Sequence, residues 1–256
     1  MYNLMKCEVM KLRRSLPLRI LSGLMLIFAA VTSLSSLSYV GSPYQREMEI
    51  ALSGYDAFFS SLRDMPTIVM IGTIVIAFVI CADFENRAIQ SEIAAGHSRF
   101  SVLLSKLFAF SLAYLIAYLP YPVGRAVLQG VLIEFGAPLS AGVLLRMLTA
   151  FLTVLLAAVA ANGAVFLLAF ALRRSILVTS AGFVAVVLGG TAFLSFTYSL
   201  PALSALADHV PAGFFRALAA CGYRPEALLQ VAALSLLYIG AAAGIAYGLF
   251  RRAELK

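Results

Sequence analysis

A chain of 256 residues that is 62% hydrophobic and only 12% charged is not an ordinary soluble domain, which carries roughly 45–50% apolar and about 25% charged residues. Its mean hydropathy of +0.96 marks an all-α polytopic membrane protein. The formal net charge of +7 would suggest nucleic acid as a partner in a soluble chain. Here it reads as the topological lysine and arginine of cytoplasmic loops, and no nucleic acid is expected.

Taken in order, residues 1–16 predict an amphipathic helix lying on the membrane surface. Met1, Leu4, Met5, Val9 and Leu12 share one face, with Asn3, Lys6, Arg13 and Arg14 opposite. A membrane span needs about 20 apolar residues, and six candidates follow, at about 18–40, 66–82, 101–123, 144–172, 176–198 and 227–250. Pro120, Pro122 and Gly124 are expected to end the third. The fourth is long enough to tilt and carries Asn162, which in a membrane helix is usually interhelical glue. Leu200–Glu226 mixes prolines with Phe214 and Phe215, a pattern that suits re-entrant helices between spans five and six, dipping part-way into the membrane. In the sixth span Gly240, Gly244 and Gly248 share one face and predict close helix packing, within the chain or at a subunit interface. The whole chain, 1–256, reads as a single transmembrane domain.

Lysine and arginine set the orientation. Lys6, Lys11, Arg13, Arg14, Arg19, Arg87, Arg99, Lys106, Arg173, Arg174, Arg251, Arg252 and Lys256 fall on one side of the six spans. Arg46, Arg63, Arg125, Arg146, Arg216 and Arg224 fall on the other. The richer side is cytoplasmic, which places both termini and the 83–106 loop there and the protein in the cell membrane, surrounded by lipid.

That loop, DFENRAIQSEIAAGHSRFSVLLSK, is the most polar stretch between the first and fifth spans that is free of proline. Gly96 is placed to end a helix begun near Phe84, and Ser98 to cap the next. Glu85-Asn86-Arg87-Ala88-Ile89-Gln90, then Gly96-His97-Ser98-Arg99, then Ser105-Lys106 resembles the first cytoplasmic loop of ABC export permeases of the second type. That family's pattern is an acidic residue, an R/N-G-T-hydrophobic group, a G-x-S/T-R turn and a following S-K. Ala88 departs from it, standing where the family often has glycine or threonine. The resemblance covers some 25 residues, and span number and spacing agree with it. It implies a coupling helix between spans two and three that docks on a separate ABC ATP-binding subunit. Glu85, Arg87, Ile89, Glu92, Gly96, Ser98 and Arg99 are the candidate contact and turn residues. It also implies a second permease, identical or related, with ATP and magnesium held by the partner rather than by this chain.

Absences narrow the chemistry. The sequence has no G-x-x-x-x-G-K-[ST], H-E-x-x-H or G-x-S-x-G, so no catalytic residue and no metal site is expected. Cys7, Cys81 and Cys221 have no ligand spacing and read as free thiols. Amphipathic peptides, drugs and lipids all remain compatible as exported substrates. An ATP-independent carrier or channel, and a membrane-embedded enzyme or assembly factor working through Leu200–Glu226, are the alternatives.

Overall fold

The computed structural model describes residues 2–40, 52–199 and 207–252, and among them all regular structure is helical. The N-terminal helices are α1 (Tyr2–Arg14) and α2 (Leu16–Leu37), followed by α3 (Gly54–Ser61). Next, α4 (Met65–Ile76) runs through a π-helical stretch, Ala77–Cys81, into α5 (Ala82–Glu85), and α6 (Ala88–Ala94) precedes α7 (Arg99–Tyr118) and α8 (Pro120–Leu132). Then come α9 (Ala141–Ala161), α10 (Gly163–Leu172), α11 (Ser175–Gly182), a second π stretch at Phe183–Leu188, α12 (Gly189–Ser199), α13 (Phe214–Ala220) and α14 (Pro225–Arg252). Five helical runs are long and apolar enough to cross a membrane: Leu16–Leu37, Thr67–Glu85, Arg99–Leu132, Ala141–Ala161 and Pro225–Arg251. Gly163–Leu172 and Ser175–Ala185 are apolar but shorter.

Local chemistry explains the boundaries. Ser15, Ser53, Asp64, Ser98 and Ser140 each accept a backbone N–H from the first turn of the helix they precede, relieving donors that have no partner inside the helix. The third span does not stop at Pro120. Proline is tolerated in a helix's first turn, where its missing N–H would lack a partner anyway, so α8 starts at Pro120 and carries the run to Leu132. The fourth expected span is interrupted at Asn162, whose ψ near 2° ends α9 before α10 begins. Asn162 does act as interhelical glue: it is fully buried, its Nδ2 donates to Ala158 O at 2.9 Å, and Thr73 Oγ1 donates to its Oδ1 at 3.4 Å. Gly72 makes room for it, since a Cβ there would fall 2.6 Å from Asn162 Cγ.

The core is centred on α7. Phe110, Tyr114 and Tyr118 are fully buried along one side of it, their rings stacked in succession and continued by Phe151 of α9. Burying a tyrosine requires a partner for its hydroxyl. Tyr114 donates to Ile68 O at 2.6 Å and Tyr118 to Ser61 O at 2.9 Å, which ties α7 to the start of α4 and the end of α3. Tyr223 completes the set by donating to Phe59 O at 3.2 Å; burial pushes its hydroxyl up to about 12, against the opposing pull of Arg63. Residues 52–62, 125–146 and 213–224 therefore meet at one end of the bundle, where Arg125 reaches Ser60 Oγ at 3.0 Å and Arg146 reaches Gly222 O at 2.8 Å.

The glycine face of α14 is open within the chain. A Cβ on Gly240, Gly244 or Gly248 would meet nothing within 4 Å, so their face makes no close approach within the described chain. Residues 200–206 of the expected re-entrant segment lie outside the described residues. The remainder folds back along α14: Tyr238, midway along that helix, donates to His209 O at 3.3 Å and packs edge-on against Phe214.

The tightest helix crossing is at Gly54, where a Cβ would lie 2.8 Å from Gly130 N and 2.9 Å from Gly130 Cα. Backbone cannot move aside as a side chain can, so Gly54→Ala should force α3 off α8 at a cost of about 1–3 kcal/mol. Thermal unfolding in detergent checks this, and an unchanged midpoint would show that the two helices are free to separate.

Candidate functional site

At the opposite end of the bundle the N-terminal helix, the 83–99 segment, the start of α11 and the end of α14 converge. Where α1 meets the 83–99 segment lies Lys106, whose side chain is 0% exposed. An ammonium deprived of water needs anionic partners within bonding distance. Lys106 Nζ finds Glu8 of α1 at 2.6 Å, Glu92 of α6 at 3.2 Å, and Asp83 of α5. Lys11, one turn along α1 from Glu8, lies on the outer side of the same group, 3.0 Å from Asp83, 3.2 Å from Glu8 and 3.4 Å from Glu92. Partial burial alone would lower the pKa of Lys11, but the carboxylates of Asp83 and then Glu8 outweigh it and hold the ammonium above its ordinary value. Three carboxylates face two ammonium groups, and Glu92 Oε2 is buried without a hydrogen-bond partner.

Helix α1 forms as the sequence predicts, but its buried stripe is Leu4, Glu8 and Leu12, packed on α7. Met1 lies outside the described residues. A carboxylate at the centre of an apolar i, i+4 stripe could have signalled the cluster from sequence, because a buried Glu must have a cation opposite it. The sequence reading passed over Glu8 for this reason: it weighed the helix against lipid, not against α7.

The 83–106 segment differs from its expected form at one point. Its helix begins at Ala88, not near Phe84, because Arg87 is left-handed at φ 57° and breaks the run. Gly96, at φ 90°, ends it and Ser98 caps α7, as read from the sequence. Of the seven candidate residues, four are engaged within the chain, Glu85 among them although it is exposed. Ile89 is fully buried, and Glu92 belongs to the charge cluster. Glu85 Oε1 accepts from the Ser175 N–H at 2.7 Å and the Ser175 hydroxyl at 2.8 Å. Arg99 Nη1 donates to Phe250 O at 2.7 Å and Arg251 O at 2.6 Å, covering carbonyls that the end of α14 leaves unpaired. Arg87, Gly96 and Ser98 are exposed, with Ser91, Ala94 and Ala95 between them.

One oxygen of each of Glu8, Asp83 and Glu92 lies within 4.8 Å of the others, a spacing that could serve a cation. The Lys106 ammonium occupies that place, so the arrangement works as an ionic lock joining α1, α5, α6 and α7. No protein-family model matches the chain, and no characterised protein matches it.

The lock makes an asymmetric prediction. Lys106→Met strands three carboxylates around one remaining ammonium, and breaking a buried ion group in this way costs about 3–5 kcal/mol. Lys11 is 43% exposed, so Lys11→Met should cost no more than about 1 kcal/mol. Thermal unfolding of both variants in one detergent separates them. Equal shifts would mean that water reaches Lys106.

Proposed function

We propose that this chain is the membrane-spanning permease subunit of an ATP-driven ABC exporter, coupled through residues 83–106 to a separate ATP-binding subunit. The observation that carries the reading is the mounting of α6. Its inner side, Ile89 and Glu92, is fixed to α1 and α7, while Arg87, Ser91, Ala94 and Ala95 face outward. A coupling element must present an open surface to its partner and yet move with the spans. An unfixed solvated loop would yield under load.

The side-chain bonds between loops support six crossings. Ser175 reaches Glu85, and Arg99 reaches the end of α14. With Ser175 at the locked end and the 213–224 segment at the other, α11 to α12 is the run we assign to the fifth crossing. The segments that share the locked end are those that lysine and arginine assign to the cytoplasm. A second permease completes the pathway, and the open glycine face of α14 is the surface we assign to it. ATP and magnesium belong to the partner subunit, and an amphipathic molecule to the pathway.

Purification in mild detergent from the native membrane should bring down a P-loop ATPase. Arg87→Glu with Ser91→Arg should cut its recovery at least roughly tenfold, since like charges brought together at an interface cost several kcal/mol, while leaving the lock and the melting temperature unchanged. Recovery equal to wild type would remove α6 from the contact, and the absence of any ATPase would end the exporter reading.

Orientation is tested separately. With Cys7, Cys81 and Cys221 replaced by serine, Leu139→Cys should react with an impermeant maleimide in intact cells and Ser91→Cys only after permeabilisation. The reverse pattern would invert the topology. For the glycine face, Gly244→Leu should reduce oligomer size in detergent, and an unaltered size would leave that face to lipid.

A further inference from the structure

A groove of about 770 Å³ opens between α9 and α14 at the end away from the ionic lock. Its walls are Leu145, Thr149 and Thr153 on one side and Leu228, Leu229 and Ala232 on the other. Thr149 presents little polarity, since its hydroxyl donates back to Leu145 O at 2.9 Å. Two guanidinium groups, Arg146 and Arg224, stand at its mouth and also line an adjoining polar cavity of about 670 Å³ with Glu226 and Gln230. We propose that this groove binds an anionic phospholipid, one acyl chain between the helices and the phosphate on Arg146 and Arg224.

Three observations support that occupant. The first is length: from Arg146 at the mouth to Thr153 the groove follows α9 for about 10 Å at 1.5 Å per residue, which lies within the ~15 Å hydrocarbon depth of one leaflet. The second is polarity along that length. The inner portion is bounded by leucine, alanine and two threonines, of which Thr149 bonds back to its own helix, and the charged groups stand toward the helix ends, where head groups lie. The third is charge and its mounting. Arg146 Nη2 donates to Gly222 O at 2.8 Å and its guanidinium rests over the Phe59 ring at 5.9 Å, so it is held in place with further N–H groups still available. Two cations against the single carboxylate of Glu226 leave the mouth net positive, which favours a phosphodiester over a zwitterionic head group. The proposal requires that the chain lie in a membrane, but not that it be an exporter.

The test uses the full chain purified in maltoside detergent. Native mass spectrometry and thermal unfolding are followed while phosphatidylglycerol or phosphatidylcholine with identical acyl chains is added. Phosphatidylglycerol should be retained and should raise the melting temperature, with phosphatidylcholine much weaker. Arg224→Gln should weaken phosphatidylglycerol binding about fivefold, the equivalent of ~1 kcal/mol per basic residue near a lipid surface. Thr149→Trp, which fills the groove and keeps both arginines, should abolish retention of either lipid. Glycerol phosphate without acyl chains should not compete, whereas a free anion site would take it. Each variant must elute and melt as wild type does in lipid-free detergent. Should one fail, Leu229→Trp replaces Thr149→Trp and Arg224→Ala replaces Arg224→Gln. Equal retention of the two lipids, or phosphatidylglycerol binding unaffected by both kinds of variant, would overturn the proposal.

Discussion

An ammonium with no access to water dictates how one end of this protein is assembled. Lys106 is buried in the first half of α7, and its charge is tolerable because Glu8, Asp83 and Glu92 reach it from α1, α5 and α6. Without those helices in place the ammonium would face a medium of low polarity with no anionic partner, so assembly of this end is cooperative. The N-terminal helix, which composition alone would leave on the membrane surface, becomes a structural member. The polar segment between the second and third spans becomes a fixed extension of the bundle.

The far end is held by different means. Backbone closeness at Gly54 and the tyrosine hydroxyls on Ser61, Ile68 and Phe59 carbonyls join α3, α4, α7 and the 213–224 segment. These bonds are short and neutral, and they fix α3 rather than the outer helices. Between the two ends the helices carry irregularities: the π stretch after Ile76, the break at Asn162 and the π stretch after Gly182. Interruptions of this kind are where helices bend. The bundle is thus braced at Lys106 and around α3, with its helix interruptions between them.

Much of this was legible in the sequence. The helical class, the places of most long apolar helices, the Gly96 turn, the Ser98 cap and the role of Asn162 follow from local rules that act within a few residues. The continuation past Pro120 was missed because a proline both stops one helix and opens another, and only the neighbouring packing decides which happens. The cluster was missed because its three carboxylates lie 14 to 98 residues from Lys106, and no local pattern connects Glu8 with Lys106. The assignment of Glu92 and Arg99 to a partner surface arose from the same limit: a polar residue in a loop looks solvated until the helix beneath it is known. The open face of Gly240, Gly244 and Gly248 shows the converse, since a motif that permits close approach does not supply the neighbour.

The difference between the ends bears on how movement would pass through the molecule. A force applied to α6 cannot be absorbed locally, because Glu92 and Ile89 bind it to α7 and, through Lys106, to α1. It must be carried along α7 toward the tyrosine ladder and, through Arg99, to α14. Helix α14 answers to this end and is only loosely covered elsewhere: Leu229, Leu236, Leu237 and Ile245 are each more than half exposed. At the far end a groove opens between α9 and α14, with Arg146 bonded to Gly222 just ahead of α14. A displacement entering at the locked end would meet the least covering there, at the groove between α9 and α14.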